Sequence, residues 1–172
     1  MPRQIYTSWI ARCTAFLVDT LPVGVAMTIV NTVAIGTAGV ECVEYPGGGL
    51  SCASTQSAAG LAAFWAMSLL SLAYLVWNYG YRQGTTGSSI GKSLLRFQVV
   101  GEQTGRPVGF GRSMVRQVAH LVDCVVCFLG YLLPLWDSHR QTIADKMMTT
   151  VCVPAPRPER LPRGSSGTRW TR

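Results

Sequence analysis

Charged residues are scarce in this sequence. Asp, Glu, Lys and Arg make up 13% of the 172 residues, about half of the share that is usual in soluble domains. Hydrophobic residues make up 48%, and the charges cluster between long apolar runs. This pattern indicates a polytopic membrane protein, and the length suits a single domain.

Acidic residues are scarcer than basic ones. Eight Asp and Glu oppose fifteen Lys and Arg, and the resulting net charge of +7 arises at the chain ends and in one connection. On a chain of this hydrophobicity, such a bias indicates cytoplasmic segments beside a membrane rather than nucleic-acid binding. We therefore expect the lipid bilayer as a partner and no nucleic acid.

The residue groups of familiar enzymes are missing. The chain has two His, no Ser–His–Asp order, no metal-ligand spacing and no pair of carboxylates suited to catalysis in a soluble cleft. The sequence therefore predicts no enzyme, no metal site and no cofactor.

The six Cys fit no metal pattern. Cys42 and Cys52 flank a Gly-rich loop, where they form either a disulfide, if the loop faces an oxidising compartment, or two free thiols. Cys124 and Cys127 have redox-motif spacing but lie in an apolar run, which favours a packing role.

We expect no cleavable leader in this sequence. The first apolar run carries Asp19 and Pro22 and is followed by no small-residue cleavage site. We expect this run to remain as a membrane anchor. Pro22 would leave the carbonyl of Val18, one turn earlier, without its helical partner.

The apolar residues form three segments, which predict an all-α membrane protein with transmembrane or partly re-entrant helices and a small cytoplasmic β element. The segments are 10–38, 58–81 and 113–136, within a membrane domain 10–153 that lies between a cytoplasmic N-terminus 1–9 and a disordered basic tail 154–172.

The charges between the segments predict the topology. The loop 39–57 carries Glu and no Lys or Arg, so we expect it outside, whereas the basic connection 83–112 and the N-terminus are expected on the cytoplasmic side of the plasma membrane.

Three full spans would then place the basic tail outside. A re-entrant third segment would keep the tail inside and let the strand-like run 149–153 pair with 94–100, and this is the version that we favour. The run 101–105 predicts a turn of a small hairpin.

The first and third segments begin alike. Arg12 precedes Asp19 by two helical turns, and Arg116 precedes Asp123 by the same interval. Ala, Leu and Val also match at intervening positions, so the match is either a short internal repeat or a coincidence. A carboxylate at this depth is costly unless it is paired, protonated or facing water.

Several motifs together resemble the RDD family of small bacterial membrane proteins. The resemblance covers roughly residues 5 to 153, and its motif positions are Arg12, Asp19, Gly91, Lys92, Arg140 and Asp145. Arg96 stands where the family usually has Gly. The resemblance implies an integral membrane protein for which transport of some ligand has been suggested.

The segment 86–93 nearly matches the motif of a phosphate-binding P-loop. However, Thr86 occupies the place of the first Gly, and no parallel strand precedes the segment. We interpret it as a cytoplasmic turn. Asp145, with Arg140 and Lys146 nearby, forms either a surface cluster or a cap on the cytoplasmic sheet, and we favour a structural role that docks the tail beneath the helices.

Two functional hypotheses follow. In the first, Arg12, Asp19 and Asp123, with Arg116 and His120, form a site for a proton, a cation or a small ligand in a transport protein that acts as a homo-oligomer or with a partner membrane protein. In the second, the protein is a non-catalytic accessory subunit of a larger membrane complex. There the same charges would form ion pairs, either within a helix or between the two Arg–Asp faces, that set helix register. His120 would then be a packing residue rather than a proton relay.

Overall fold

The computed structural model describes residues 5–125 and 129–156 and is mostly helical. Helices of very different lengths alternate with two short antiparallel sheets. In chain order the elements are α1 (Trp9–Gly36), β1 (Gly39–Tyr45), β2 (Gly49–Thr55), α2 (Ala58–Leu75), a π-helical turn (Val76–Arg82), α3 (Gln83–Thr86), α4 (Ile90–Leu94), β3 (Phe97–Gly101), α5 (Phe110–Val125), α6 (Leu129–Leu132), a 3-10 turn (Leu133–Leu135), α7 (Ile143–Met147) and β4 (Thr150–Pro154).

Two helices are long and apolar enough to cross a membrane. They are Trp9–Gly36 and the continuous helix Ala58–Thr86, each with a mean hydropathy of 1.8. Ser8 caps α1 through the backbone N–H of Ala11. Few side chains of α1 and none of α2 are buried, so the apolar surface of this pair faces outward, as expected of helices in lipid.

The third apolar segment is not one straight helix. The axes of α5 and of the segment Leu129–Leu135 differ by 105°, so the chain turns back. Pro134 lies in the 3-10 turn that ends this segment. The bend agrees with a re-entrant segment rather than a single straight span.

A two-stranded sheet joins the two flanks of this third segment. β3 and β4 pair antiparallel, with Val99 opposite Cys152, which confirms the predicted pairing and places both flanks on one side of the molecule. The strand bounds shift from the prediction, because Leu94 belongs to α4. The turn at 101–105 closes by hydrogen bonds from Gly101 and Gly105, but the predicted small hairpin is wrong, because the partner of β3 is β4.

The loop predicted for residues 39–57 is instead a β-hairpin. β1 and β2 pair along their full lengths with Cys42 opposite Cys52, and a disulfide joins these two residues. Gly47 and Gly48 at the turn have φ of +128° and +85°, which side chains rarely allow. Every residue of both strands is exposed. The strands therefore have no buried face, and this is why the sequence pattern did not predict them.

A small core connects the sheet with α1. Ala15, Phe97, Val99 and Cys152 are almost fully buried and pack together. Some predictions lie outside the described residues: they concern positions 1–4, Cys127 and most of the tail 154–172.

Candidate functional site

Asp145 is the centre of the buried charge cluster. Arg12 Nη1 donates to its Oδ2 at 2.6 Å, and Arg116 donates to its Oδ1 from Nε at 2.9 Å and from Nη2 at 2.6 Å. Its side chain is 0% exposed, so the expected surface cluster with Arg140 and Lys146 is wrong. The ion pairs expected between the arginines and Asp19 or Asp123 are also wrong, because Arg12 and Arg116 both pair with Asp145.

Local structure holds the Asp145 carboxylate in place. Thr142 and Asp145 form a reciprocal capping box at the start of α7, and Thr150 donates to the same carboxylate at 3.2 Å. Burial by itself would raise the pKa of Asp145, but the positive charges of Arg116 and Arg12 outweigh it and hold the pKa well below its ordinary value. Asp145 is therefore a charged group that joins α1, α5 and α7.

Asp19 is buried and bonded to neutral donors. Its Oδ1 accepts from Asn78 Nδ2 at 2.8 Å and from the Gly91 backbone N–H at 2.7 Å, and its Oδ2 accepts from Ser89 Oγ at 2.5 Å. Tyr74 also donates to its backbone carbonyl. Asp19 thus anchors α1 to the start of α4 and to the π-helical turn.

The near-P-loop sequence forms this start of α4. Ser89 caps the helix, and the Asp19 carboxylate occupies the N-terminal position where a phosphate would bind in a P-loop. Gly91 is required here, because an added Cβ would lie 2.2 Å from the backbone oxygen of Ala15.

Asp123 has an equivalent position in α5. Its Oδ1 accepts from the backbone N–H of Ile143, the first residue of α7, at 3.1 Å, and its Oδ2 lies 2.7 Å from His120 Nδ1. The ring of His120 stacks on Tyr131 with the centroids 5.4 Å apart. An added Cβ at Gly130 would lie 2.0 Å from Oδ1 of Asp123, so α6 also packs closely on this carboxylate.

The structure extends the proposed internal repeat. In each half a helix with the Arg–Asp spacing contacts the first turn of a short, side-chain-capped helix, which a strand follows. Arg96 and Thr149, at matching positions before β3 and β4, both have positive φ, of 58° and 49°. Arg96 therefore adopts the left-handed conformation that Gly adopts readily.

The remaining motif residues support the same centre. Lys92 lies over the ring of Tyr79 at 5.4 Å and contacts Gln83 Oε1, while Gln83 donates to Ser113. Burial and, secondarily, the charge of Arg116 lower the pKa of Lys92 to about 8. Arg140 has a φ of 52° and donates to the backbone carbonyl of Tyr6.

A cavity of about 700 Å³ lies between α1 and α5. Its polar wall includes Arg12, Lys92 and Arg116, and most of the remaining wall is apolar. Arg12 Nε and Nη2 and Gln117 Nε2 are buried and lack hydrogen-bond partners within the described chain. By contrast, the oxygens of Asp19 and Asp145 accept from protein donors, and those of Asp123 contact the Ile143 N–H and His120 Nδ1.

Within residues 5–125 and 129–156 no group of three His, Cys, Asp or Glu residues is arranged to hold a metal ion.

The sequence interpretation missed several partners in this site. Asn78 and Ser89 bind Asp19, and Gln117 lines the cavity. An amide inside the otherwise apolar helix around Asn78 was one available signal. A second signal was the Ser or Thr that precedes each short helix, because these residues are preferred helix caps.

Comparison with known proteins gives a family and three relatives. A sequence profile described as the RDD family matches residues 6–149. The "Proline-rich antigen" of Mycobacterium leprae (strain TN) is 49% identical over 157 residues, which are 90% of this chain and 63% of that protein. The "Proline-rich antigen homolog" of Mycobacterium tuberculosis, in two strains, is 53% identical over 158 residues, 90% of this chain and 65% of that protein. The chain thus spans less than two thirds of these relatives, and no solved structure matches it.

Proposed function

The chain belongs to the RDD family, and from this premise we propose that it is a multi-pass plasma-membrane protein that binds a small ligand in the cavity between α1 and α5 and transports it. The protein is not an enzyme in this proposal. The observation that carries it is the lining of the cavity, because three basic residues, Arg12, Lys92 and Arg116, stand in an otherwise largely apolar wall. Charged donors form the stronger hydrogen bonds, and a ligand with acceptor atoms can pair with them.

The same geometry argues against a cation as the ligand. A cation is bound through oxygen ligands, and the oxygens of Asp19 and Asp145 already accept from protein donors, while Asp123 accepts from Ile143 and contacts His120. No described hydrogen bond joins Asp19 to Asp123, so a shared proton between them has no support among these contacts. An anionic or strongly accepting ligand fits the wall of Arg12, Lys92 and Arg116 better.

The proposed topology places the N-terminus and the β3–β4 sheet in the cytoplasm and the β1–β2 hairpin outside. Basic residues of the connection before α5 support the first placement. The disulfide between Cys42 and Cys52 supports the second, because disulfides persist in oxidising compartments. Two or three spans enclose little space, so we propose that transport requires a homo-oligomer or a partner membrane protein.

Flux into proteoliposomes tests the transport proposal. Liposomes with purified protein are challenged separately with inorganic phosphate, short-chain carboxylates, Na⁺ and K⁺, and uptake is followed together with internal pH. We expect uptake of an anion above that of protein-free liposomes, reduced by Gln117→Leu and unchanged by Gln103→Leu, since Gln103 is exposed outside the cavity. Cation-driven proton flux that is insensitive to Gln117 would contradict the anion assignment.

A second candidate is a non-catalytic accessory subunit. It is favoured by the contacts of the charge cluster, because Asp145, Asp19 and Asp123 each connect separate elements as architectural groups do. No flux of any probe, together with loss of a membrane complex when the protein is removed, would favour this function. The mass of the purified protein in detergent also bears on the choice, because a monomer would leave the transport pathway incomplete.

A further inference from the structure

An amide group lies on the outward surface of α1. Asn31 is exposed there, and its side chain makes no hydrogen bond to any described residue. Thr20, Gly24 and Thr28 lie on the same side of the helix, and we call these four residues the Asn31 face. We infer that two copies of the chain associate in the membrane through this face, with the two Asn31 amides bonded to each other. The inference rests on the proposed membrane placement and names the homo-oligomer that the proposed transport requires.

The depth of Asn31 makes an unpaired amide costly. At one end of the contact between α1 and α2, the backbone carbonyl of Asp19 accepts from Tyr74. At the other end, an added Cβ at Gly60 would lie 3.4 Å from the Cβ of Ala34. Asn31 lies within this stretch, about 8 Å along the axis from the end of α1. In a hydrocarbon layer of about 30 Å its short side chain does not reach water, and an unpaired amide in hydrocarbon is unfavourable.

The residues beside Asn31 allow a second helix to approach closely. Thr20, Gly24 and Thr28 follow one another at intervals of four, and the space around the Cβ position of Gly24 is open. Such intervals of small residues are typical of contacts between membrane helices. The hydroxyl groups of Thr20 and Thr28 already donate to backbone carbonyls of α1, each at 2.8 Å. Asn31 is therefore the group on this face that still needs a partner.

The protomer itself leaves the Asn31 face uncovered. α2 packs on another side of α1, beside Val30, Val33 and Ala34. The third apolar segment turns by 105° after α5, and it meets α1 near the start of that helix, where Trp9 donates to the backbone carbonyl of Tyr131. The outer half of the face is thus left for another molecule.

A second copy of the same face is the partner that this amide fits. The side chain of Asn is both donor and acceptor, so two of them related by a two-fold axis form two reciprocal hydrogen bonds. Because both copies have the same orientation in the membrane, their α1 helices run parallel and their Asn31 side chains meet at equal depth. Leu17, on the cavity wall, lies two helical turns before Gly24 on the same side of α1, so the cavity borders the interface in this dimer.

Association of the purified protein in liposomes tests the inference. Protein labelled with donor and acceptor dyes is reconstituted over a range of protein-to-lipid ratios, and energy transfer gives the dissociation constant. Asn31→Leu should raise this constant about tenfold, whereas Asn31→Gln keeps the amide and should retain most of the association. The matched control is Thr32→Leu, which replaces the neighbouring exposed polar side chain outside the Asn31 face and should leave the constant unchanged.

Cysteine cross-linking locates the interface. Thr28→Cys should form a disulfide-linked dimer on mild oxidation, because position 28 faces its own copy across the two-fold axis. Ile29→Cys lies at the same depth and is 59% exposed, but it borders the groove beside α2 and should not cross-link. Both variants are made in a background in which three free cysteines are replaced by Ser: Cys13, Cys124 and Cys127.

A protein that stays monomeric at every protein-to-lipid ratio would overturn the inference. Equal effects of Asn31→Leu and Thr32→Leu would overturn it too, as would equal cross-linking at positions 28 and 29. The proposed transport is judged separately. Association through the Asn31 face without flux in proteoliposomes keeps the interface and overturns transport. Flux from a protein that does not associate keeps transport and overturns the interface.

Discussion

Replacing Asp145 with Asn should strongly destabilise the protein. The substitution keeps the size of the side chain but removes the negative charge that Arg12 and Arg116 share. Arg116 is 5% exposed and Arg12 is 12% exposed at the side chain, so neither guanidinium can regain full hydration. Two buried cations would then face each other across an uncharged amide.

The cost can be estimated from the burial. Removing one partner of a buried ion pair costs about 3–5 kcal/mol, which is a large fraction of the roughly 5–15 kcal/mol by which proteins are usually stable. For a chain of this length about 1 kcal/mol shifts the unfolding midpoint by roughly 2–4 °C. We therefore expect Asp145→Asn to lower the midpoint by about 6–20 °C.

The thiol of Cys152 provides the assay. It is 1% exposed on β4, so a thiol-reactive dye should label it in detergent only when the core opens, in a background where the other free cysteines, Cys13, Cys124 and Cys127, are replaced by Ser. The control is Glu102→Gln, which removes an exposed carboxylate paired with His139 and should cost no more than about 1 kcal/mol. A midpoint for Asp145→Asn within 2 °C of the control would refute the reasoning.

Acidification gives a second readout of the same group. The pKa of Asp145 in the folded state is lower than in the unfolded state, so its stabilising contribution is fully present above the unfolded value of about 4. The contribution is lost progressively as the pH falls below that value towards the folded pKa. Asp145→Asn should therefore flatten the loss of stability below about pH 4.

Three further predictions concern other parts of the structure. Gly91→Ala should lower the unfolding midpoint, because overpacking against α1 costs about 1–3 kcal/mol. The control Gly111→Ala should not lower it, because the space around its Cβ position is open. Equal midpoints of the two variants would contradict this packing. The lowered pKa of Lys92, about 8, means that the unfolded state binds more protons between about pH 8 and 10, so stability should rise with pH there; a rise of the same size in Lys92→Met would exclude Lys92 as its cause. Cys42 and Cys52 should react with an impermeant maleimide from outside intact cells only after reduction, and labelling confined to inside-out vesicles would reverse the proposed topology.

The sequence predicted the long helices closely because hydrophobicity is a local property. The first segment was predicted from residue 10 and begins at Trp9, and the second begins at Ala58 as predicted. The pairing of β3 with β4 was also anticipated, although Leu94 lies in α4. The hairpin Gly39–Thr55 was missed because its strands have no buried face and their side chains show no inward and outward alternation.

The sequence by itself determined the apolar helices, the basic bias of the connection and the Arg–Asp spacing in two helices, because each depends on residues close together in the chain. Only the tertiary structure decided which charges meet. Arg12 is 133 positions from Asp145, and equal spacing had favoured Asp19 and Asp123 as its partners. Three features of the fold bring Asp145 next to both arginines. They are the capping box of α7, the pairing of β4 with β3 and the bend after α5. Asp19 and Asp123 instead bind the first turns of α4 and α7, where backbone N–H groups offer a carboxylate partners that no sequence spacing revealed.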